Sequence, residues 1–303
     1  SPVSIANNAG RVWIEASSLR SNNLGAPGAP HAVVVDHSSS VVFAGCTLLG
    51  STASLPSSAG DGLRSVASDV VLYDTVCKGG PGALGAGGAG GGFGGSAARV
   101  IDGSLFASGS SFLGGNGGPC GKNSFGVCGN GGSGGDGLRL EGASPSVSLL
   151  APTLAGGSGG TAFAPCVAGS SGQASVVLAG ASATIAGNAG SFSAESPIRG
   201  GHSSTFAFSS APGDAAFVLL ALGQGDVPIP ALSGVLLLDA PFLAFPIGVA
   251  DASGALEASV PIPSPPPAME GATVYLQSLF VQAGGSVLLG AGSSLVLLSP
   301  SVP

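Results

Sequence analysis

The sequence predicts an all-β protein, in which a parallel β-helix (solenoid) with glycine-rich corner insertions is followed by a small antiparallel β-sandwich. Three observations carry this prediction. Short apolar segments with small residues at their bends recur over the first two thirds of the chain. Glycine-rich tracts follow several of these segments, and longer apolar segments among prolines fill the last third. We place the two domains at residues 1–203 and 204–303.

Five segments of the first domain share one pattern: a short apolar strand, a corner of small residues and a second short apolar piece. They are VVFAGCTLLG from Val41, VVLYDTVCKGG from Val70, SLFASGSSFLGG from Ser104, VSLLAPTLAGG from Val147 and ATIAGNAGSF from Ala183. Short strands at repeated corners, without helical periodicity, predict the coils of a parallel solenoid. The alternative for the same strands is a β-sandwich.

Alignment of these repeats predicts which side chains face the core. We take Phe43, Leu72, Phe106, Leu149 and Ile185 as equivalent positions, and the spacing between them varies along the chain. The variation coincides with the glycine-rich tracts, which are therefore predicted to be insertions at one corner of a constant coil. The side chains predicted to be buried in stacked layers are Val42, Phe43, Leu72, Leu105, Phe106, Leu149 and Ile185.

The repeat pattern resembles the right-handed parallel β-helix superfamily, the fold of pectate-lyase-like proteins and of many bacterial surface proteins. The resemblance covers roughly residues 1–203 and rests on the shape of the repeats, without a diagnostic motif. It implies a β-helix of the secreted bacterial type and, for the enzymes of this fold, an activity on polysaccharides.

The insertions cover about residues 79–96, 114–137 and 156–172. In the first, GGPGALGAGGAGGGFGGS, glycine opens six consecutive triplets, which matches the three-residue period of a polyproline-II helix. Because successive insertions leave the same corner, we expect them to lie side by side and to hydrogen-bond through their backbones. The alternative is a set of disordered loops. The glycines predicted to face neighbouring backbone are Gly79, Gly82, Gly85, Gly88, Gly91 and Gly94.

The last third of the chain, from about Ser204 onward, has a different amino-acid composition. Glycine-rich tracts stop, prolines gather in DVPIPAL and VPIPSPPPAM, and eight longer apolar segments follow one another. Strands at regular spacing with turn signals between them predict an antiparallel β-sandwich of about 100 residues.

The chain has five cysteines, and none of them forms a CxxC pair. Cys120 and Cys128 flank the short loop GKNSFGV, and we predict that they are bonded to each other or to Cys166. Free or buried thiols are the alternative. With only three histidines in the chain, no metal site is expected.

The motifs that could carry chemistry are weak. GAGGAG from Gly85 matches a dinucleotide-binding pattern, but no βαβ unit surrounds it, so no cofactor is expected. His31 and His37 bracket VVVD and are interpreted as strand-end residues. Asp61 and Asp136 each lie in GDGL, where a turn role is favoured over calcium binding because no nonapeptide repeat is present.

A polysaccharide-acting enzyme would need close carboxylates or a metal-held carboxylate with a basic residue. Several charged residues near strands could meet across coils, but we interpret them as turn caps and surface ion pairs, and we expect no catalytic residue. These residues are Asp36, Asp69, Asp74, Asp102, Arg64, Arg99 and Arg139.

Charge and hydropathy exclude several classes of function. The formal net charge is −7 and only 8% of residues are charged, which disfavours nucleic acid as a partner. The best apolar run, Gly234–Ala250, is interrupted by Asp239, Pro241 and Pro246 and is shorter than the ~20 residues of a membrane-spanning helix. The chain begins SPVS, without Met, as expected for a mature secreted chain after removal of its signal; a chain shortened at its start is the alternative.

Low charge together with a mean hydropathy of +0.53 favours self-association, because few charges keep such a chain dispersed. The leading hypothesis is an extracellular structural protein that assembles with itself into a fibre, sheath or surface layer. The alternative is a cell-surface adhesin or binding module with a β-helix stalk. A polysaccharide-acting β-helix enzyme is third, and carbohydrate is therefore a possible partner.

Overall fold

The computed structural model describes residues 2–21, 30–53, 58–266 and 269–299. Within these ranges the chain forms β-strands and one 3-10 turn, Pro230–Leu232, and no α-helix. The predicted all-β class is therefore confirmed. The chain divides into two compact units, Ser1–Thr184 and Ile185–Pro303.

In the first unit, parallel strands stack in three columns, and one passage of the chain through columns A, B and C forms a layer. Column A contains β1 (Val3–Ala6), β4 (Val33–Asp36), the first parts of β7 (Leu63–Tyr73) and β9 (Ala98–Ser108), β11 (Leu138–Glu141) and β14 (Ser175–Val177). Column B contains β2 (Val12–Glu15), β5 (Val41–Ala44), the second parts of β7 and β9, β12 (Ser146–Leu150) and β15 (Ala181–Ile185). Column C contains β3 (Ser18–Arg20), β6 (Thr47–Leu49), β8 (Val76–Lys78), β10 (Ser111–Leu113) and β13 (Thr153–Ala155).

The layers are in register, so equivalent side chains lie directly over one another. In column C, for example, Leu48, Cys77, Phe112 and Leu154 occupy successive layers. Inward-facing side chains of the three columns form one buried cluster between them. These long parallel sheets are compatible with the predicted parallel β-helix.

Two corners have the same backbone conformation in five successive layers. At both corners the chain adopts a positive φ, and the residues concerned occupy equivalent positions in successive layers. Between columns A and B they are Asn7, His37, Ala67, Asp102 and Gly142. Between columns B and C they are Gly45, Asp74, Gly109, Ala16 and Ala151.

The residue after the second of these corners is small and polar in several layers. The N–H of Thr75 donates to Oγ of Ser110 at 3.1 Å, and Oγ1 of Thr75 donates to the carbonyl of Tyr73 at 2.9 Å. Such a side chain satisfies backbone groups that the corner removes from the strands. The small polar residues that recur after this corner therefore form hydrogen bonds both within a layer and between layers.

One predicted core position is wrong by a single residue. The register places Ala107, not Phe106, beside Leu72, and it places Leu149 beside Ala107. Phe106 is half-buried and its ring lies 5.7 Å from the ring of Tyr73. Two adjacent apolar residues in β9 made the inward position ambiguous, and the inward residues are Leu105 and Ala107.

The other predicted core residues of the layers are buried, except the last. Val42, Phe43, Leu72, Leu105 and Leu149 are all nearly inaccessible to solvent. Ile185 is half-buried at the end of β15. It is the last residue of the last strand in column B, and the second unit begins there.

The second unit is mainly antiparallel. Its strands are β16 (Ser191–Ala194), β17 (Ile198–Arg199), β18 (Ser203–Ser209), β19 (Ala215–Ala221), β20 (Gln224–Ile229), β21 (Gly234–Leu238), β22 (Leu243–Val249), β23 (Ala255–Pro261), β24 (Gly271–Val281) and β25 (Val287–Leu298). They form sheets in the orders β16-β18-β23, β17-β25-β24-β19-β22 and β20-β21, and only the β17–β25 pair is parallel.

Aromatic side chains and one buried amide connect these sheets. Phe208 of the three-stranded sheet lies 6.3 Å from Phe280 of the five-stranded sheet, ring centre to ring centre. Gln277 is fully buried; its amide donates to the carbonyl of Val235 at 2.8 Å and accepts from the N–H of Leu237 at 2.9 Å. The side chain thus replaces backbone pairing between β24 and β21.

The observed division of the chain lies before the predicted boundary at 203/204. β16 pairs antiparallel with β18, with Phe192 opposite Phe208. This pairing places residues 191–203 in the second unit, although their sequence is rich in small residues, like that of the first unit. The change from parallel to antiparallel pairing marks the boundary, and composition alone does not reveal it.

Candidate functional site

Three glycine-rich hairpins extend from the same corner of successive layers, after column C. Each has an outgoing and a returning arm, and the arms contain neither helix nor strand. We call the three hairpins together the bundle. Its arms are residues 79–86 and 89–96, 114–121 and 129–136, and 156–161 and 167–173.

One set of backbone hydrogen bonds joins arms that run in the same direction in neighbouring layers. The first glycine of a triplet is the donor. The N–H of Gly82 donates to the carbonyl of Asn116 at 2.8 Å, and the N–H of Gly117 donates to that of Ser158 at 2.8 Å. These contacts repeat every three residues, which is the period of a polyproline-II helix.

A second set of bonds joins arms that run in opposite directions. The second glycine of a triplet is the donor here. The N–H of Gly118 donates to the carbonyl of Gly92 at 2.8 Å, Gly132 donates to Gly118 at 2.9 Å, and Gly160 donates to Gly132 at 2.7 Å. The bonds form a zigzag through all three hairpins, so the bundle is held by backbone groups.

Glycine is required in the arms because the backbones approach too closely for a side chain. A Cβ atom added to Gly79, Gly82, Gly85, Gly91 or Gly94 would lie between 1.8 and 2.3 Å from a neighbouring carbonyl oxygen. Even a methyl group would therefore overlap backbone atoms. This is the geometry that the triplet period predicts for these five positions.

Gly88 differs from the other glycines of the predicted set. It lies with Gly87 in the turn between the first two arms and has a φ of +88°. A Cβ there would lie 3.0 Å from the nearest atom, the carbonyl oxygen of Val127. Glycine is required at position 88 by the turn conformation rather than by close packing of the arms, because residues with a Cβ atom disfavour that φ.

The far end of the bundle carries exposed apolar side chains. We define the tip as residues 122–128 and 161–167, which connect the arms of the second and third hairpins. In the third hairpin the tip includes the end residues of the two arms, 161 and 167. Phe125 is 89% exposed and Val167 66% exposed, and Val127 and Phe163 are more than half exposed. Lys122 is the one charged residue in these two segments, and its Nζ lies 5.9 Å from the centre of the Phe163 ring.

The tip is held in one conformation by its own hydrogen bonds. Oδ1 of Asn123 accepts from the N–H of Phe125 at 3.0 Å and from that of Val127 at 2.8 Å. Oδ1 of Asn130 accepts from the N–H of Val167 at 3.0 Å and so joins the two hairpins. The exposed side chains therefore project from an ordered backbone.

A disulfide between Cys128 and Cys166 closes the tip. The predicted disulfide is confirmed for Cys128, which pairs with Cys166 as one of the two predicted alternatives, whereas Cys120 forms no disulfide. Cys128 and Cys166 directly precede the returning arms of adjacent layers, whereas Cys120 is a free, buried thiol in an outgoing arm. The remaining cysteines, Cys46 and Cys77, are also buried and free, and burial raises the pKa of the Cys77 thiol.

The acidic residues that could have met across coils have separate roles. Oδ1 of Asp69 accepts from Oγ of Ser104 at 2.6 Å. Oδ1 of Asp102 accepts from the N–H of Ala143 at 2.6 Å and so caps a turn. Asp36 pairs with its neighbour His37 at 2.8 Å, and burial raises the pKa of Asp74 to about 7.

The predicted arginines lie in register on the outer face of column A. Arg99 and Arg139 both donate to Glu141, which lowers the pKa of that carboxyl against the opposing effect of desolvation. Arg139 also pairs with Asp136 at 3.1 Å. This is a partly exposed ion-pair network.

The two GDGL aspartates each cap the backbone of the following layer. Oδ1 of Asp61 accepts from the N–H of Ser96 at 2.8 Å, and Oδ1 of Asp136 accepts from that of Gln173 at 3.0 Å. The other oxygen of Asp61 lies 3.2 Å from Nδ1 of His31. Both residues therefore have the turn role expected for them.

Within the described ranges, no group of three or more His, Cys, Asp or Glu side chains could hold a metal ion. Over the same ranges, no helix is long and apolar enough to cross a membrane. No protein-family model matches the chain, and no curated protein is similar to it.

Sequence reasoning predicted the arms of the bundle but not its tip. Phe125 and Phe163 have no equivalent residues in the other repeats, so the repeat pattern does not identify them. The usable signal was local: each is a large aromatic residue in a loop of small residues that also holds a cysteine. Large aromatic side chains are usually covered in folded proteins, and at the tip they are exposed instead.

Proposed function

We propose that the chain is an extracellular structural protein that assembles with itself into a fibre, sheath or surface layer. In this proposal the first unit is a parallel β-helix and the second an antiparallel β-sandwich. The observation that carries the proposal is the presence of two different exposed apolar surfaces, one on each unit. The first is the tip, which is apolar and carries one positive charge.

The second surface is on β22, the last strand of the five-stranded sheet. Among the described residues β22 pairs only with β19, so its other edge is open. Phe242, Leu243, Phe245 and Val249 are between 41% and 60% exposed, and we call them the edge patch. Open strand edges in monomeric proteins are usually protected by charged residues, proline or bulges. Residues 240–250 contain no charged residue, whereas Pro246 and a register shift opposite Ala216 and Phe217 interrupt the strand, so the edge patch offers apolar side chains rather than a continuous edge for strand pairing.

The two surfaces are complementary in charge. Asp239 and Asp251 flank the uncharged segment of β22, and hydrogen bonds from Ser253 and the N–H of Ala255 lower the pKa of Asp251. Lys122 gives the tip the opposite sign. We propose that the tip of one copy binds the edge patch of the next.

Such a contact uses two different surfaces of one chain, and its repetition leaves both surfaces free at the ends of the assembly. Contacts of this kind produce rings or open fibres rather than two-fold dimers, and a fibre, sheath or layer requires the open form. The disulfide in the tip supports an extracellular location, because disulfides persist in oxidising compartments.

The test uses two variants that each lack one surface. Phe125→Ser with Phe163→Ser removes the tip, and Leu243→Ser with Phe245→Ser removes the edge patch. We expect sedimentation velocity and negative-stain microscopy to show assemblies for the wild type and monomers for each variant. When the two variants are mixed, the intact tip of one meets the intact edge patch of the other, and a one-to-one dimer forms.

Leu178→Ser is the matched control, since Leu178 is 62% exposed but lies outside both surfaces. It is expected to assemble as the wild type does. A wild type that stays monomeric at all concentrations contradicts self-assembly. Variants that assemble normally, or a mixture that forms no dimer, contradict the pairing of tip with edge patch.

The fixed geometry of the tip favours one second candidate, a cell-surface binding module with the β-helix as its stalk. A preorganised surface loses little entropy on binding. In that case the wild type is monomeric, and the tip variant alone loses adhesion to cells or surfaces.

A further inference from the structure

A groove of the first unit runs along column C. It is open, has a volume of about 920 Å³, and is bounded on one side by the first residues of the outgoing arms. Its floor consists of one outward residue from each of five successive layers. In order these are Arg20, Leu49, Lys78, Leu113 and Ala155.

The register fixes the spacing of these residues. Neighbouring parallel strands lie ~4.8 Å apart, so five layers span roughly 19 Å. Arg20 and Lys78 are two layers apart, or about 10 Å. Leu49 lies between them and Leu113 lies beyond Lys78, so cationic and apolar positions alternate along the floor.

The groove has the opposite charge to the protein. The chain has 15 acidic and 8 basic residues, but the lining contains Arg20 and Lys78 and no acidic residue. Both side chains are exposed, and within the described part of the chain neither has an ion-pair partner. Residues 22–29, 54–57, 267–268 and 300–303 contain no Asp or Glu either.

These features select a class of ligand. Aromatic residues on which nucleic-acid bases stack are missing from the lining. An extended peptide presents side chains on one face about every 7 Å, which does not match the spacing of the two cations. A chain of pyranose sugars advances by close to one strand spacing per sugar, so every second sugar would reach a cation.

We infer that the groove binds a linear acidic glycan with one acidic group on every second sugar. The acidic groups pair with Arg20 and Lys78, and the apolar faces of the intervening rings pack on Leu49 and Leu113. Ser51, Thr52 and Asn116 line the groove and can hydrogen-bond sugar hydroxyls. The inference goes beyond the proposed self-assembly and is independent of it, because neither the tip nor the edge patch lines the groove.

The probe for the test is a hyaluronan oligosaccharide, which carries one carboxylate per disaccharide. Binding to the purified chain is measured by isothermal titration calorimetry at low salt. We expect Arg20→Gln and Lys78→Gln each to weaken binding several-fold and the double variant to weaken it at least tenfold. Arg11→Gln is the matched control, since it removes the same charge from an exposed arginine of the first layer, and its affinity is expected to be unchanged.

Two further glycans test the charge and the spacing. Chitin oligosaccharides are neutral and are expected not to bind; polygalacturonate, with a carboxylate on every sugar, is expected to bind more weakly than hyaluronan. The inference is overturned if the wild type does not bind hyaluronan, if the double variant binds as the wild type does, or if Arg11→Gln loses as much affinity. Equal binding of chitin oligosaccharides or tighter binding of polygalacturonate also overturns it. Circular dichroism checks that each variant is folded, as expected for exposed positions.

Discussion

The columns and the bundle of the first unit are two ways of stacking the same layers. The columns enclose a cluster of buried apolar side chains, among them Phe43 and Leu72. In the arms of the bundle, carbonyl oxygens lie where the side chains of the triplet glycines would be. The comparison shows that stacked layers can be stabilised in two ways. One is to bury apolar side chains between them, and the other is to exclude side chains so that the backbones hydrogen-bond directly.

The two regions should therefore respond to opposite kinds of substitution. Removing atoms damages a packed core because it leaves a cavity. Adding atoms damages the bundle because no space exists between its arms. The following experiments test this contrast, from the largest expected effect to the smallest.

Phe43→Ala tests the columns. Phe43 is fully buried in column B, and its truncation is expected to cost about 3–5 kcal/mol in the free energy of unfolding. Phe106→Ala is the control, because Phe106 is only half-buried; a loss of about 1–2 kcal/mol is expected. Urea denaturation followed by circular dichroism measures both, and equal losses would contradict the register described for β9.

Replacing Cys128 and Cys166 with Ser tests the far end of the bundle. The disulfide joins residues 38 apart in sequence, and removal of such a link typically costs about 2–4 kcal/mol. We expect the loss to be local: hydrogen exchange should become faster in residues 122–128 and 161–167 while the columns keep their protection. Adding a reducing agent should change the wild type in the same way and leave the double variant unchanged.

Gly118→Ala tests the arms themselves. A Cβ on Gly118 would lie 1.9 Å from the carbonyl oxygen of Ala83, and such overpacking costs about 1–3 kcal/mol. Hydrogen exchange should accelerate in all three hairpins, because the zigzag of hydrogen bonds passes through Gly118.

Leu84→Ala is the control for this variant, since Leu84 is 62% exposed in a neighbouring arm. Its effect should stay within about 0.5 kcal/mol. If Gly118→Ala is as harmless as Leu84→Ala, the arms are not closely packed in solution.

Asp74→Asn tests a corner of the columns through its pH dependence. Burial raises the pKa of Asp74 to about 7, against about 3.9 in an unfolded chain. The folded state therefore holds the proton more tightly, and this group lowers stability as the pH rises from about 4 to about 7. Asp74→Asn should raise the free energy of unfolding by about 1–2 kcal/mol at pH 8 and by little at pH 4. Urea denaturation at both values measures it, and an equal gain at the two values would exclude titration of Asp74 as the cause.

Much of the first unit could be predicted from sequence because its physical constraints are local and periodic. A glycine at every third position is visible directly, and so is the small residue at each corner. Phe106 was misplaced because Leu105 and Phe106 are both apolar and either could point inward. The positive-φ corners resolve this: Gly45, Asp74 and Gly109 are equivalent, and counting back from them gives the correct register.

The features that could not be predicted depend on contacts between distant residues. The sequence leaves open whether Cys128 pairs with Cys120 or with Cys166, and the stacking of layers decides it, because Cys166 reaches Cys128 from the next layer. The boundary between the units likewise depends on the pairing of β16 with β18. The groove along column C arises only when Arg20 and Lys78 are aligned across layers, although they are 58 positions apart (78 − 20).

The backbone bonding of the bundle has a consequence for how such a chain can evolve. At outward positions such as Leu84 and Phe93, the backbone holds the arm in place and the side chain contributes little to its stability. The carbonyl of Phe93, for example, accepts from the N–H of Ala59, and this bond does not depend on the side chain at position 93. Mutations at these outward arm positions can therefore accumulate without unfolding the arms, while almost any change of an arm glycine is eliminated. Homologous chains should be uniform in their arm glycines and diverse at the outward arm positions, so the exposed surface of the arms can change on an unchanged framework.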